Sequence, residues 1–148
     1  MYNRNMNNQC LDNIFAHLTN YSLNKTSPNF FVSEDPYSDA GHKRLWSTIQ
    51  QRLTNEGKDV DAIQNKIDQI ITKTMLTIQP DLAHNFKSCR PREKETRMCF
   101  EVLGFDIILD RDCEPYLLEV NHTPSFNCDN QIDELIKYGL LKDTLNLV

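Results

Sequence analysis

Asp106, Glu119 and Asn121 are of the types and spacing that can hold a hard divalent cation. They lie in two apolar runs, residues 100–109 and 116–120, that flank the turn-rich stretch 110–115, and this pattern favours an antiparallel hairpin. A turn symmetric about Asp112 and Cys113 sets Asp106 opposite Glu119 and Gly104 opposite Asn121. Side chains two apart share a face, so two carboxylates and a carboxamide converge. Cations such as Mg2+ take oxygen ligands and keep several waters, so one or two carboxylates with substrate phosphates suffice, and an amide oxygen can complete the set. Gly104, without a side chain, leaves room for a ligand. The same spacing also fits two solvated carboxylates on a half-exposed hairpin, and spacing alone does not separate the two readings.

The elements around this hairpin have to hold it. On its other face Leu103, Phe105, Ile107, Leu109, Leu118 and Val120 form an apolar surface that can bury against helices. Residues 14–22 read as a short strand, followed by an irregular stretch with Pro28, Pro36 and Gly41. Residues 42–53 fit a helix. Residues 60–78 fit a longer one, with Ile63, Ile67, Ile70, Ile71, Thr74 and Met75 at helical spacing, Asp59 or Asp61 near its start, Gly57 before it and Pro80 marking its end. Residues 81–94 read as a solvated connector, basic toward its end. Residues 131–147 read as a closing helix with Ile132, Leu135, Ile136, Leu140, Leu141 and Leu145 inward and Gly139 weakening its middle. Trp46 and Phe30 read as packing residues. The expected class is α+β.

Composition narrows the partners. The chain has 148 residues and a formal net charge of −5, with no basic run, so no free-standing nucleic-acid surface is expected. Its five cysteines are odd in number and lack C-x-x-C spacing, which argues against a disulfide framework or structural zinc site and for a reducing cytosol. No apolar stretch approaches membrane-spanning length, and the Asn-rich residues 1–11 read as a flexible lead-in, so neither secretion nor a membrane is expected.

Two motifs carry a resemblance: HLTNYSLNK at residues 17–25, and FEVLGFDIILD followed by YLLEVNHTPSF. In that order and distance they closely resemble the tubulin tyrosine ligase-like family, ATP-grasp ligases that attach amino acids to tubulin and other proteins. The resemblance covers nearly the whole chain, including LDNI before HLTN and KYGLLKDTL at the end. It implies that residues 12–148 form the C-terminal part of an ATP-grasp domain, an antiparallel sheet with flanking helices. It also implies that Asp106, Glu119 and Asn121 hold magnesium bound to ATP, and that Thr19 and Asn20 line the phosphate side, where short polar side chains contact phosphate or metal-bound water without adding charge. His122, directly after the metal ligands, resembles the polyglutamylases at a position that varies with product type. It is the candidate for shaping catalysis at the acceptor.

The implied reaction is ATP-dependent: the γ-phosphate activates a glutamate carboxylate of the acceptor as an acyl phosphate, and the amine of free glutamate displaces phosphate to leave an amide, with Mg2+ offsetting phosphate charge. The implied partners are tubulin or another acidic protein tail, and the implied setting is the cytoplasm and cytoskeleton, with the cilium or basal body as the narrower location. The glycine-rich phosphate loop, nucleotide-binding lysine and Lys-Phe-Asp-Leu-Arg segment of the family do not occur in these 148 residues. Self-sufficient catalysis is therefore not expected. The alternative is a catalytically inactive fragment or paralogue acting as a module that binds tubulin or another partner.

Overall fold

The computed structural model describes residues 21–92 and 99–147. Within them the order is α1 (Tyr21–Asn24), α2 (Trp46–Asn55), α3 (Val60–Cys89), β1 (Gly104–Leu109), β2 (Pro115–Asn121) and α4 (Gln131–Leu147). The class is α+β, with one two-stranded antiparallel sheet among the described residues. The chain divides into two compact units, one of Met1–Ile49 with Cys128–Val148 and one of Gln50–Asn127.

In the unit of Gln50–Asn127, α2 ends in a way its sequence dictates. Gly57 takes φ +76°, its N–H bonds the Thr54 carbonyl at 3.0 Å, and the Lys58 N–H bonds the Leu53 carbonyl at 2.9 Å. This paired closure needs the left-handed conformation glycine adopts without cost. Two residues on, Asp59 precedes α3, its carboxylate accepting the Ala62 N–H at 2.9 Å as an N-cap. The apolar stripe expected along α3 is the sheltered one: Ile63 is buried, and Ile67, Ile70, Ile71, Thr74 and Met75 are half-buried. α3 packs on β2. A Lys66–Glu114 ion pair ties its second turn to the end of the hairpin loop.

Two expectations for the helices are corrected, the second of them in the unit of Met1–Ile49. Pro80 does not end the helix, which runs through it to Cys89 and takes in most of the expected connector. Proline removes one backbone hydrogen bond, and the turns on either side supply enough others to carry the helix past it. The second helix starts at Trp46 instead of residue 42. Gly41, bridged to Val32, and His42, whose N–H bonds the Phe31 carbonyl at 2.9 Å, are held in an extended loop.

In the other unit, residues 21–22 are helical within α1 and not strand, because the Lys25 N–H closes a helical turn on the Tyr21 carbonyl at 2.9 Å. Residues 14–20 of that expected strand, the lead-in 1–11, and Thr19 and Asn20 lie outside the described residues. Phe30 packs as expected, with ring centroids 5.8 Å from Tyr21 and 5.0 Å from His42. α4 matches its expected range and carries Gly139 without a break. Its stripe is the correction: Ile132 is buried at 2% exposure, while Leu135, Ile136, Leu140, Leu141 and Leu145 are exposed. The helical spacing is right, but among the described residues nothing covers the face it makes.

Candidate functional site

The hairpin turns through a three-residue loop, residues 111–113. The Cys113 N–H bonds the Asp110 carbonyl and the Asp110 N–H bonds the Glu114 carbonyl, each at 3.0 Å. Such loops place their last residue in the left-handed region, and Cys113 sits there at φ 67°. The Asp110 carboxylate braces the turn, accepting the N–H groups of Asp112 at 2.8 Å and Glu114 at 2.9 Å. From this loop the register runs Leu109 with Pro115, Ile108 with Tyr116 and Ile107 with Leu117, then shifts by one. Beyond the shift Asp106 pairs with Glu119, Phe105 with Val120 and Gly104 with Asn121.

The expected pairings at Asp106 and Gly104 are therefore present, although the symmetric turn about Asp112 and Cys113 is not. The odd loop displaces the register by one residue, and a bulge that leaves Leu118 without a ladder partner displaces it back. On the opposite face Leu117, not Leu118, stands across from Ile107. The bulge is the element that sequence reasoning missed. No residue type in YLLEV marks it, and only the odd loop makes it necessary.

Asp106 and Glu119 are direct cross-strand neighbours and Asn121 lies two residues along from Glu119, so the three side chains share one face. The Asn121 amide donates to a Glu119 carboxylate oxygen at 3.2 Å, which aims the carboxylate and leaves the amide oxygen to coordinate. Partial desolvation of the Asp106 carboxyl, on a residue that is exposed as a whole, pushes it above its usual range, and a hydrogen bond with Glu119 and the charge of that neighbour push it the same way. Two carboxylates held this close repel when both are ionised, and a divalent cation between them would remove the conflict. Two carboxylates and an amide make a hard oxygen set that suits magnesium, so the residues fit the metal the resemblance implies. Among the described residues no three His, Cys, Asp or Glu side chains gather as a metal-binding group, so Asn121 is needed to complete the site.

The space at Gly104 is narrower than expected. A Cβ there would stand 3.4 Å from Pro124 Cβ and 3.7 Å from Asn121 Cβ, so the chain's own residues border it. His122 follows Asn121 and is exposed. Among the described residues Cys89, Cys99, Cys113 and Cys128 are not joined in disulfides.

The structure also shows a cluster the sequence did not announce, at the start of α4. Asp133 accepts Lys43 Nζ on both oxygens at 2.9 Å, the Asn130 amide at 2.9 Å and the Asp129 N–H at 3.2 Å, while Asn130 accepts the Asp133 N–H at 3.0 Å. Burial alone would raise the Asp133 carboxyl, but these donors and the nearby Lys43 and Lys137 charges hold it below its usual range. Lys43 also sits 4.1 Å from the ring centre of Tyr21, the residue next to Asn20. Lys43 and Asp133 are 90 residues apart, which is why no sequence signal pairs them.

Comparison with known proteins follows the whole chain. The family model described as "Tubulin-tyrosine ligase family" matches residues 1–148. The chain is 44% identical over 144 residues to a "Probable beta-tubulin polyglutamylase" of Tetrahymena thermophila, a match covering 97% of this chain and 12% of that protein. It is 46% identical over 138 residues to "Tubulin polyglutamylase TTLL6" of Homo sapiens, covering 93% of this chain and 15% of the relative. Against "Tubulin polyglutamylase TTLL7" of Xenopus tropicalis it is 40% identical over 140 residues, again covering 93% and 15%. The chain thus spans a small part of the length of each relative.

Proposed function

Since the chain belongs to the tubulin-tyrosine ligase family, we propose that it is the C-terminal, metal-holding part of an ATP-grasp ligase that joins glutamate to glutamate side chains of an acidic protein tail, with tubulin as the acceptor. The observation that carries this reading is the pairing of Asp106 with Glu119 on the face shared by Asn121. Asp106, Glu119 and the amide oxygen of Asn121 would hold magnesium. Bound there, the ion would supply positive charge against the phosphate oxygens of ATP.

The chain's own residues set the conditions for that. Asn121 fixes the rotamer of Glu119 through its N–H, and the ladder fixes Asp106 against it, so the oxygens are pre-aimed and little reorganisation is needed on binding. Thr19 and Asn20 are proposed for the phosphate side, with Tyr21 directly after them anchored by Phe30 and Lys43. His122 leaves the hairpin beside the ligands and is proposed to face the acceptor. Free glutamate is the proposed amine donor. The proposed setting is the cytoskeleton, in the cytoplasm, at the cilium or basal body, and among the described residues no helix is long and apolar enough to cross a membrane.

The test is glutamate incorporation into tubulin by the polypeptide that carries this segment, with and without Glu119→Gln. The substitution keeps size and hydrogen bonding but removes one charge from the metal shell, so turnover should fall by orders of magnitude while the thermal melt stays within a few degrees. Near-normal incorporation would remove Glu119 from the metal site, and equal loss of activity and folding would return it to a structural role.

A further inference from the structure

Asp106 and Glu119 face each other only because one residue between the loop and Glu119 is not counted in the ladder. The pairs nearest the loop are Leu109 with Pro115, Ile108 with Tyr116 and Ile107 with Leu117. A regular ladder continued from them sets Asp106 opposite Leu118 and Phe105 opposite Glu119. Because strand side chains alternate, Glu119 and Asn121 would then point to the face opposite Asp106, and the carboxylates would be separated by the thickness of the sheet. The shift after Ile107 leaves Leu118 outside the pairing and restores Glu119 to Asp106.

We propose that the Leu118 bulge is the positioning element of the carboxylate pair: a residue that touches neither metal nor substrate decides which face of the sheet Glu119 and Asn121 occupy. Burial does not hold it there, since Leu118 is 47% exposed. Its work is to compensate the odd loop, whose length is fixed by the two closing hydrogen bonds at Asp110. The assignment deepens the proposed metal-holding role of the hairpin and rests on it, but the geometric part is separable from metal binding.

The test uses the full chain with its native cysteines replaced by serine, Asp106→Cys and Glu119→Cys added, and disulfide formation read by intact mass. Three backbones are compared: the natural spacing, deletion of Leu118, and insertion of one alanine between Leu117 and Leu118. Deletion removes the bulge yet leaves Asp106 and Glu119 opposite each other, so the disulfide should form within about twofold of the natural rate. Insertion takes position 119 away from Asp106, to Phe105 on the other face where the bulge is kept or to Gly104 where the ladder runs regularly, and the yield should fall at least tenfold with far-UV circular dichroism unchanged. An insertion that leaves the disulfide intact, or a deletion that abolishes it in a folded chain, would overturn the positioning role. Manganese binding by electron paramagnetic resonance, on the same three backbones with Asp106 and Glu119 restored, reads the other half. Tight binding by the natural and deleted forms and not by the inserted form is the expected result. Disulfides that follow the predicted pattern with no manganese bound by any form would refute the metal role and leave the register role standing.

Discussion

Two carboxylates in this chain are displaced in opposite directions, and their effects on stability oppose each other. Asp106 is raised by partial desolvation, then by the hydrogen bond and charge of Glu119, so it holds its proton more tightly folded than unfolded. That stabilisation is complete below the ordinary value of 3.8 and is lost as pH rises through the raised one, so at pH 7 the ionised Asp106 subtracts from stability. Asp106→Asn should therefore melt higher than the natural chain at pH 7, with the difference shrinking toward pH 3–4. Mg2+ should raise the melt of the natural chain more than that of the variant, and thermal melts at two pH values with and without the ion check both claims. Asp133 has the other sign. Its carboxyl is lowered, so its contribution is present above 3.8 and disappears as pH falls through the folded value. Asp133→Ala should cost about 2 kcal/mol at neutral pH, since it strands Lys43 and removes the acceptor of the Asn130 amide and the Asp129 N–H, and the cost should fade in strong acid. A urea titration at pH 7 and again near pH 3 would show it.

At the scale of elements, the hairpin loop stores a small cost. Cys113 holds a left-handed conformation that glycine occupies freely, so Cys113→Gly should stabilise the chain by about 0.5–1 kcal/mol after the added flexibility of the unfolded glycine is subtracted. Urea unfolding at constant slope would measure it. Pro80 is the matching feature of α3. Pro80→Ala should restore the missing hydrogen bond and slow amide exchange in the residues that follow, up to Cys89. Both features mark where the sequence could and could not be read. The stripe from Ile63 to Met75, the Asp59 cap and the Gly57 stop are local signals, each decided within four residues, and each was legible. The Asp106–Glu119 pairing was legible for a different reason from the true one, because a two-residue turn without a bulge and a three-residue turn with one give the same partners beyond Leu118. Pro80 misled because the rule weighs one lost hydrogen bond and not the length of helix around it. Contacts such as Lys43 with Asp133 depend on where distant segments meet, which no window of sequence contains.

For the molecule as a whole, the shortage is of interior. Among the described residues the buried apolar side chains are Ile63, Ile132 and Pro115. Leu76, Leu82, Leu141, Leu145 and Leu147 all stand in solvent, so replacing Leu145, 75% exposed, by Lys should change the unfolding free energy by less than about 0.5 kcal/mol and raise solubility. A denaturation curve paired with light scattering tests this, and a large destabilisation would mean that the α4 stripe is covered after all. The hairpin is independent of that shortage in one respect. Asp106 and Glu119 lie thirteen positions apart, and α3, which packs on β2, precedes both. Hairpins pair in microseconds, whereas a ribosome adds roughly 5–20 residues each second. As the chain leaves the ribosome, the helix that braces the hairpin is therefore already outside when β2 emerges, and the two carboxylates can meet before α4 has emerged behind them.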